Sequence, residues 1–202
     1  MPDVILLSGG IESSTLLYQQ HAHSQLHPIF IDYGQRAGVQ EHRAALSACT
    51  NVGLVLKKLD MAQAGHDFRA LQSQKLHVPL PHRNLIALSM GLSYAAQIGA
   101  TRILLALNLE DTNTYPSATT EFIEKFQAMA SVLGDFEIAT PLATLTKAQI
   151  IREGIVLGIN YAQTYSCLLG YALHCGHCPQ CLHRRAAFKQ AEQQEPDGFY
   201  RV

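Results

Sequence analysis

The 202-residue chain predicts an α/β fold: a doubly wound, parallel, five-stranded sheet with helices on both faces and a cysteine-rich helical segment at its C-terminal end. Short apolar runs alternate with stretches of helical spacing, the pattern of parallel strands joined by crossover helices. The run Arg102-Ile103-Leu104-Leu105-Ala106-Leu107 is almost wholly apolar, as a strand buried on both faces must be. Near the end, Cys167, Cys175, Cys178 and Cys181 crowd together. The length suits a single domain over 1–202, read as a core over 1–160 with the cysteine-rich segment 161–192 packed on it.

Taken in order, residues 3–7 form the first predicted strand, 13–20 the first helix and 28–33 the second strand. Over 39–52, Ala44, Ala45, Ala48 and Cys49 recur at helical spacing and mark an apolar face. Residues 54–59 alternate in character and predict a third strand. Arg83–Ile98 predicts a long apolar helix that stops at Gly99. A fourth strand covers 102–107, a helix 119–133, a short strand 136–139 and a helix 146–157 that stops at Gly158. The stretch 60–82 is the least regular and lies between a strand and a helix, where ligand-contacting loops sit. The tail 192–202 is polar and predicted to be peripheral.

The turn between the first strand and first helix reads Ser8-Gly9-Gly10-Ile11-Glu12-Ser13-Ser14-Thr15. Glycine lacks Cβ, so the backbone can turn sharply and approach a ligand. The first N–H groups of a helix have no internal partner, and the helix dipole adds positive charge there. Hydroxyls of Ser8, Ser13, Ser14 and Thr15 add donors. An anion such as pyrophosphate fits that end. The turn contains no Lys, which separates it from the Gly-x-x-x-x-Gly-Lys-Ser/Thr nucleotide loop.

Composition narrows the function classes. Apolar residues make up 48% and charged residues 15%, which suits a well-buried α/β core or an oligomer interface. A formal net charge of −1 supplies no broad basic face, so no direct nucleic-acid partner is expected. No apolar run reaches membrane-spanning length, and the first residues lack the pattern of a signal peptide, which predicts a cytoplasmic protein. In that setting clustered cysteines point to a metal site rather than a disulfide framework. Zinc takes four soft ligands in a tetrahedron with bonds of about 2.3 Å to sulfur. Cys167, Cys175, Cys178 and Cys181 complete that set, so the site is expected to be structural; a redox Cys-x-x-Cys pair, or a ligand from His174, His177 or His183, is the alternative. Cys49 reads as a core residue.

The turn resembles the pyrophosphate loop of the N-type ATP pyrophosphatases, Ser-Gly-Gly-x-Asp-Ser, with Glu12 in place of the Asp. Loop and cysteines together are similar to the 7-cyano-7-deazaguanine synthase family of queuosine biosynthesis, along nearly the whole chain. Phe30-Ile31-Asp32-Tyr33-Gly34-Gln35-Arg36 resembles the family's Phe-Asp-Tyr-Gly-Gln-Arg segment, and Pro81-His82-Arg83-Asn84 its Pro-Gly-Arg-Asn. Asp111, Tyr115-Pro116, Thr140-Pro141-Leu142 and Lys147-Ala148 match further segments, and the cysteine block matches through Arg184. There are departures: Ser117-Ala118-Thr119 stands where the family reads Asp-Cys-Arg, His82 stands for Gly, and the loop before Pro81 is short. By resemblance, all three fall near the acceptor.

The resemblance implies an adenine nucleotide α-hydrolase-like fold and an ATP-dependent carbon–nitrogen ligase. Its substrate would be 7-carboxy-7-deazaguanine with free ammonia, its product the nitrile, with AMP- or ADP-type products and pyrophosphate or phosphate released. It implies ATP with Mg²⁺ as nucleotide, structural Zn²⁺ and a homodimer. Ser8, Gly9, Gly10, Ser13, Ser14 and Thr15 are assigned to the β,γ-phosphates, with helix capping the other role of Ser13. Glu12 is assigned to Mg²⁺ or to loop orientation, Asp32 and Tyr33 to the adenosine half, and Asp111 to Mg²⁺ or the acceptor. Arg83 is assigned to phosphate or carboxylate, Lys147 to phosphate charge, and Asn84 to a helix cap or ligand contact. Three alternatives stay open: an adenylating amide ligase on another deazaguanine or a protein-attached acceptor, a tRNA thiolase, and a non-catalytic ATP- and zinc-binding module. Thiolation would need cysteines free for sulfur transfer, which the metal set takes up.

Overall fold

The computed structural model describes residues 2–70 and 80–201. Its elements run β1 (Pro2–Leu6), α1 (Ile11–Gln20), β2 (Gln25–Asp32), α2 (Gly38–Asn51), β3 (Lys57–Asp60), α3 (Ala62–Ala70), α4 (Arg83–Ile98), β4 (Arg102–Leu105), α5 (Leu109–Thr114), α6 (Thr120–Leu133), β5 (Glu137–Ala139), α7 (Lys147–Val156) and α8 (Pro179–Gln190). The five strands are all parallel, in the order β3-β2-β1-β4-β5.

Strand periodicity sorts the core into two layers. Ile5, Phe30 and Leu104 point to one face, where they meet Ala45, Ala48 and Cys49 of α2, Ile150 and Ile151 of α7 and Phe188 of α8. Val4, Ile29, Ile103 and Leu105 point to the other, against Leu88 and Leu92 of α4 and Phe126 of α6. Both Val4 and Ile5 are wholly buried, because β1 lies at the centre of the sheet. The chain winds from β1 to the β3 edge, then crosses back through α4 to β4 on the other side of β1. Loops after β1 and β4 therefore diverge, and a crevice opens at the carboxyl ends of these strands.

Helix boundaries follow the chemistry of their ends. Thr146 caps α7 in a reciprocal capping box with Gln149, Thr119 caps α6 by accepting the Phe122 N–H, and Gly99 ends α4 in the left-handed conformation. No helix among the described residues is long and apolar enough to cross a membrane.

The fold differs from the sequence expectation in several places: β2 starts at Gln25, β4 stops at Leu105, and Leu109–Thr114 forms α5, a helix the sequence reading lacks. The first part of 60–82, read as irregular, forms α3, and residues 71–79 lie outside the described residues. The third strand starts at Lys57, since only Lys57–Asp60 find partners on β2. The tail is not wholly peripheral: Phe199 is buried, and Tyr200 forms a bridge with His174. The cause is Arg184, which has no exposed surface and reaches Glu195 of the tail at 2.8 Å.

Candidate functional site

A cleft of about 230 Å³ sits at the carboxyl ends of β1, β2 and β4. Its floor is the strand ends, including Leu6, Ile31 and Leu105. Its walls carry Ser8, Gly10, Glu12 and Ser13 from the first turn, Arg83 and Asn84 from α4, and Asp111 and Lys147 from the opposite side. Residues far apart in sequence meet because each follows a strand or starts a helix at this edge of the sheet.

The turn is held from three directions. Ser13 folds back, its Oγ accepting the Ser8 N–H at 3.2 Å and lying 3.1 Å from Ser8 Oγ. Gly10 is the N-cap of α1, with no side-chain cap on the helix. Glu12 and Lys147 form an ion pair at 2.7 Å, and Asn108 Nδ2 donates to the same Glu12 oxygen at 2.8 Å. Burial disfavours the Glu12 charge, but the ammonium and the amide outweigh it and hold the carboxyl below the ordinary glutamate value. Burial likewise opposes the Lys147 charge, and Glu12 outweighs it, so the ammonium is held above the ordinary lysine value.

The two glycines are placed differently. Gly9 has φ +75°, and a Cβ there would lie 2.6 Å from both Ala45 N and Glu41 O, so this residue is seated on the backbone of α2. Gly10 faces the cleft; its nearest neighbours would be Ser8 Oγ at 3.5 Å and Glu12 Oε2 at 3.7 Å. Ser14 and Thr15 turn away from the cleft. Thr15 Oγ1 donates to the Ile11 carbonyl at 2.8 Å and lies 2.9 Å from the Tyr161 hydroxyl, deep in the core. Asp32 also lies off the cleft wall and pairs with Lys58 at 2.7 Å. Burial works against its charge, and the Lys58 hydrogen bond outweighs this and keeps its carboxyl low.

Tyr33, Arg83, Asn84 and Asp111 do line the cleft. The Arg83 guanidinium lies 5.8 Å from the Tyr115 ring centre and makes no ion pair among the described residues. Asn84 donates to the Ser117 carbonyl at 3.0 Å. Asp111 forms a capping box with Asn108 at the start of α5, and burial together with the Glu12 charge raises its carboxyl above the usual aspartate value.

Several cleft residues escaped the sequence reading: Gln35, Glu41, Tyr165, Ser166, Leu168 and Gln180. Glu41 accepts from Gln35 Nε2 at 3.0 Å, and burial raises its carboxyl. Asn108 was missed too, although Asn108-x-x-Asp111 ahead of a short helix is a readable capping signal. Tyr165 and Ser166 flank Cys167, so their only sequence signal was proximity to the cysteines.

The cysteines converge. The Sγ atoms of Cys167, Cys175, Cys178 and Cys181 all lie within 4.8 Å of one another, and Cys175 and Cys181 are 3.9 Å apart. A tetrahedral site with bonds of about 2.3 Å needs sulfur spacings of about 3.8 Å, which this set meets with slight contraction. Backbone N–H groups of Leu169 and Cys175 point at Cys167 Sγ, and those of His177 and Cys178 at Cys175 Sγ, the donors that bound thiolates require. The cluster can hold a metal ion from sulfur alone. His174 stays outside it: burial, and then the Arg184 guanidinium, push its imidazole down to about 3, and Nε2 accepts the Ser166 N–H at 2.9 Å.

Departures from the family pattern have structural roles. Ala118 is fully buried in the core, Thr119 caps α6, and none of Ser117, Ala118 and Thr119 is on the cleft wall. His82 occupies a left-handed position, φ 50° and ψ 42°, where the family's glycine carries no steric penalty.

Comparison with known proteins agrees with this geometry. The model of the family "Queuosine biosynthesis protein QueC" matches residues 3–192. The 7-cyano-7-deazaguanine synthase 1 of Sulfurisphaera tokodaii is 32% identical, over 98% of this chain and 98% of that protein. The 7-cyano-7-deazaguanine synthase of Methylococcus capsulatus is 36% identical, again over 98% of each. Among solved structures, the NH3-dependent NAD synthetase of Campylobacter jejuni in complex with the nitrate ion superposes with a TM-score of 0.54 at 18% identity, over 79% of this chain and 65% of that one, a likeness of fold. With a cleft built on the Ser-Gly-Gly turn, four converging cysteines and this match along almost all its length, the chain belongs to the QueC family of queuosine biosynthesis proteins.

Proposed function

We propose that this protein is an ATP-dependent ligase that converts 7-carboxy-7-deazaguanine and ammonia to 7-cyano-7-deazaguanine. The observation that carries the reading is the cleft at the strand-order reversal, where Ser8, Gly10 and Ser13 meet Arg83 and Lys147. A carboxylate is a poor electrophile, because its oxygen leaves badly. Attack of that carboxylate on the α-phosphate of ATP forms an acyl adenylate and breaks the bond to pyrophosphate. Ammonia then adds to the carbonyl carbon, AMP leaves, and the amide remains after loss of a proton. A second ATP adenylates the amide oxygen with release of pyrophosphate and one amide proton, and loss of AMP and the second proton leaves the nitrile. Such steps depend on positioning and charge stabilisation, with no covalent enzyme intermediate.

In this reading the open first turn of α1 and the Ser8 and Ser13 hydroxyls take the departing pyrophosphate. Arg83, with no carboxylate partner among the described residues, supplies a fork for phosphate or for the acceptor's carboxylate. Lys147 keeps Glu12 charged and the turn in place. Asp111 supplies the carboxylate for Mg²⁺, an ion whose chemistry is neutralisation of phosphate charge. Tyr33 meets the adenosine half. The four cysteines would hold Zn²⁺ as a structural cross-link within segment 161–192, which packs on a core over 1–160.

Incubation of the purified protein with ATP, Mg²⁺, ammonia and 7-carboxy-7-deazaguanine, followed by mass spectrometry, tests the proposal. AMP together with the nitrile is expected. Amide without nitrile would assign a ligase that stops one step early, and no AMP with this acceptor would refute the reading.

A further inference from the structure

The tail after α8 closes over the groups that hold one wall of the cleft. Arg184 is fully buried and spends every donor arm. Nε donates to Glu195 at 2.8 Å, Nη1 to Thr164 Oγ1 at 2.9 Å and to Ser166 Oγ at 3.3 Å, and Nη2 to the Tyr161 carbonyl at 2.9 Å. Its guanidinium lies 4.1 Å from the centre of the Phe199 ring. A cation so buried is stable only when paired, and Glu195 is its one carboxylate partner among the described residues.

His174 repeats the arrangement. Its ring stacks on Phe199 with centroids 4.0 Å apart and lies 4.5 Å from Tyr165, while its Nε2 accepts the Ser166 N–H at 2.9 Å. The tail is tied down in turn: Tyr200 donates to Glu195 at 2.8 Å, and backbone bonds link Phe199 and Arg201 to His174 at 3.1 and 2.8 Å. Tyr165 and Ser166 both face the cleft, and neither Glu195 nor Phe199 reaches it.

We infer that Glu195 and Phe199 are positioning residues for ligand binding: the tail acts through Arg184 and His174 to fix the Tyr165–Ser166 wall of the cleft, which abuts the Ser8–Gly10 turn where the Tyr165 N–H meets the Gly9 carbonyl at 2.9 Å. The assignment of ATP to that turn rests on the proposed function; the mechanical coupling does not. Gly9 is also seated on α2, but its carbonyl takes the Tyr165 N–H, so loosening the tail reaches the turn and weakens ATP binding.

Steady-state kinetics and residue-resolved amide exchange on full-length Glu195→Ala and Phe199→Ala test this. The KM for ATP is expected to rise about ten-fold. The Tyr165 and Ser166 amides should exchange about ten-fold faster, with β1 unchanged. Bound zinc should stay at the wild-type level. Glu195→Gln, which keeps an acceptor for Arg184 and Tyr200, should fall between wild type and Glu195→Ala. Unchanged exchange at these amides, an unchanged KM for ATP, or exchange raised throughout the sheet would overturn the inference. If an alanine variant does not fold, Phe199→Leu carries the same measurements. Should the wild-type protein convert no deazaguanine acceptor, the functional reading falls, and the exchange data alone decide the coupling.

Discussion

Gly9 and Gly10 are adjacent and serve different ends. Gly9→Ala must place a Cβ 2.6 Å from the α2 backbone at positive φ, and it should cost about 3 kcal/mol in a urea titration. Gly10 has φ −76°, so Gly10→Ala should fold with a loss within about 1 kcal/mol yet raise the KM for ATP by filling the open end of α1. Glu12→Ala leaves the Lys147 ammonium buried without its partner and should cost about 3 kcal/mol, and adding Lys147→Met should recover part of that in a double-mutant cycle. The Glu12 carboxyl titrates lower in the folded protein than in the unfolded chain. Its stabilisation is therefore complete above the ordinary glutamate value and is lost as pH falls through the folded-state value. Glu12→Gln should flatten this acid limb when urea midpoints are compared between pH 7 and pH 3. The sequence identified the turn from its residue types alone. It could not separate Ser13 from Ser14 and Thr15, since helix phase, set by where α1 begins, turns the first to the cleft and the others to the core.

At the scale of elements, helix starts and stops were the most legible features, because caps are local chemistry. Thr119, Thr146 and Gly99 each mark a boundary through a hydrogen bond or a backbone conformation of their own. α3 was not legible: among its residues only Gly65 is buried, so no apolar stripe advertises it. His82 shows what an element end tolerates. Its left-handed conformation suits glycine and is strained for a β-branched residue. His82→Gly should change stability by less than about 1 kcal/mol, and His82→Val should lower it by about 2 kcal/mol, read from chemical denaturation. The Ser117-Ala118-Thr119 segment has structural roles of its own: Ala118 fills the core, Thr119 starts a helix, and the Ser117 carbonyl accepts from Asn84 of the cleft wall at 3.0 Å.

Across the whole molecule, the cysteine cluster and the tail join the last forty residues to the sheet. The Tyr165 N–H donates to the Gly9 carbonyl at 2.9 Å, so the cysteine segment and the phosphate turn touch directly. Removal of metal by a chelator should lower the melting temperature by about 10 °C and weaken the near-ultraviolet dichroism of Tyr165, Tyr171 and Tyr200. Far-ultraviolet dichroism should keep most of its intensity, because both apolar layers of the sheet lie elsewhere. The sequence by itself determined the sheet, most of its helices, the Ser-Gly-Gly turn and the cluster of four cysteines, since periodicity, capping and residue spacing are local properties of the chain. Only the tertiary structure decided which hydroxyls face the cleft, that Lys147 neutralises Glu12, and that a polar tail is drawn inward. The first depends on where α1 begins against the sheet; the other two depend on pairings of buried charge, between residues more than a hundred positions apart or across the C-terminal turn around Arg184, and no local pattern encodes them.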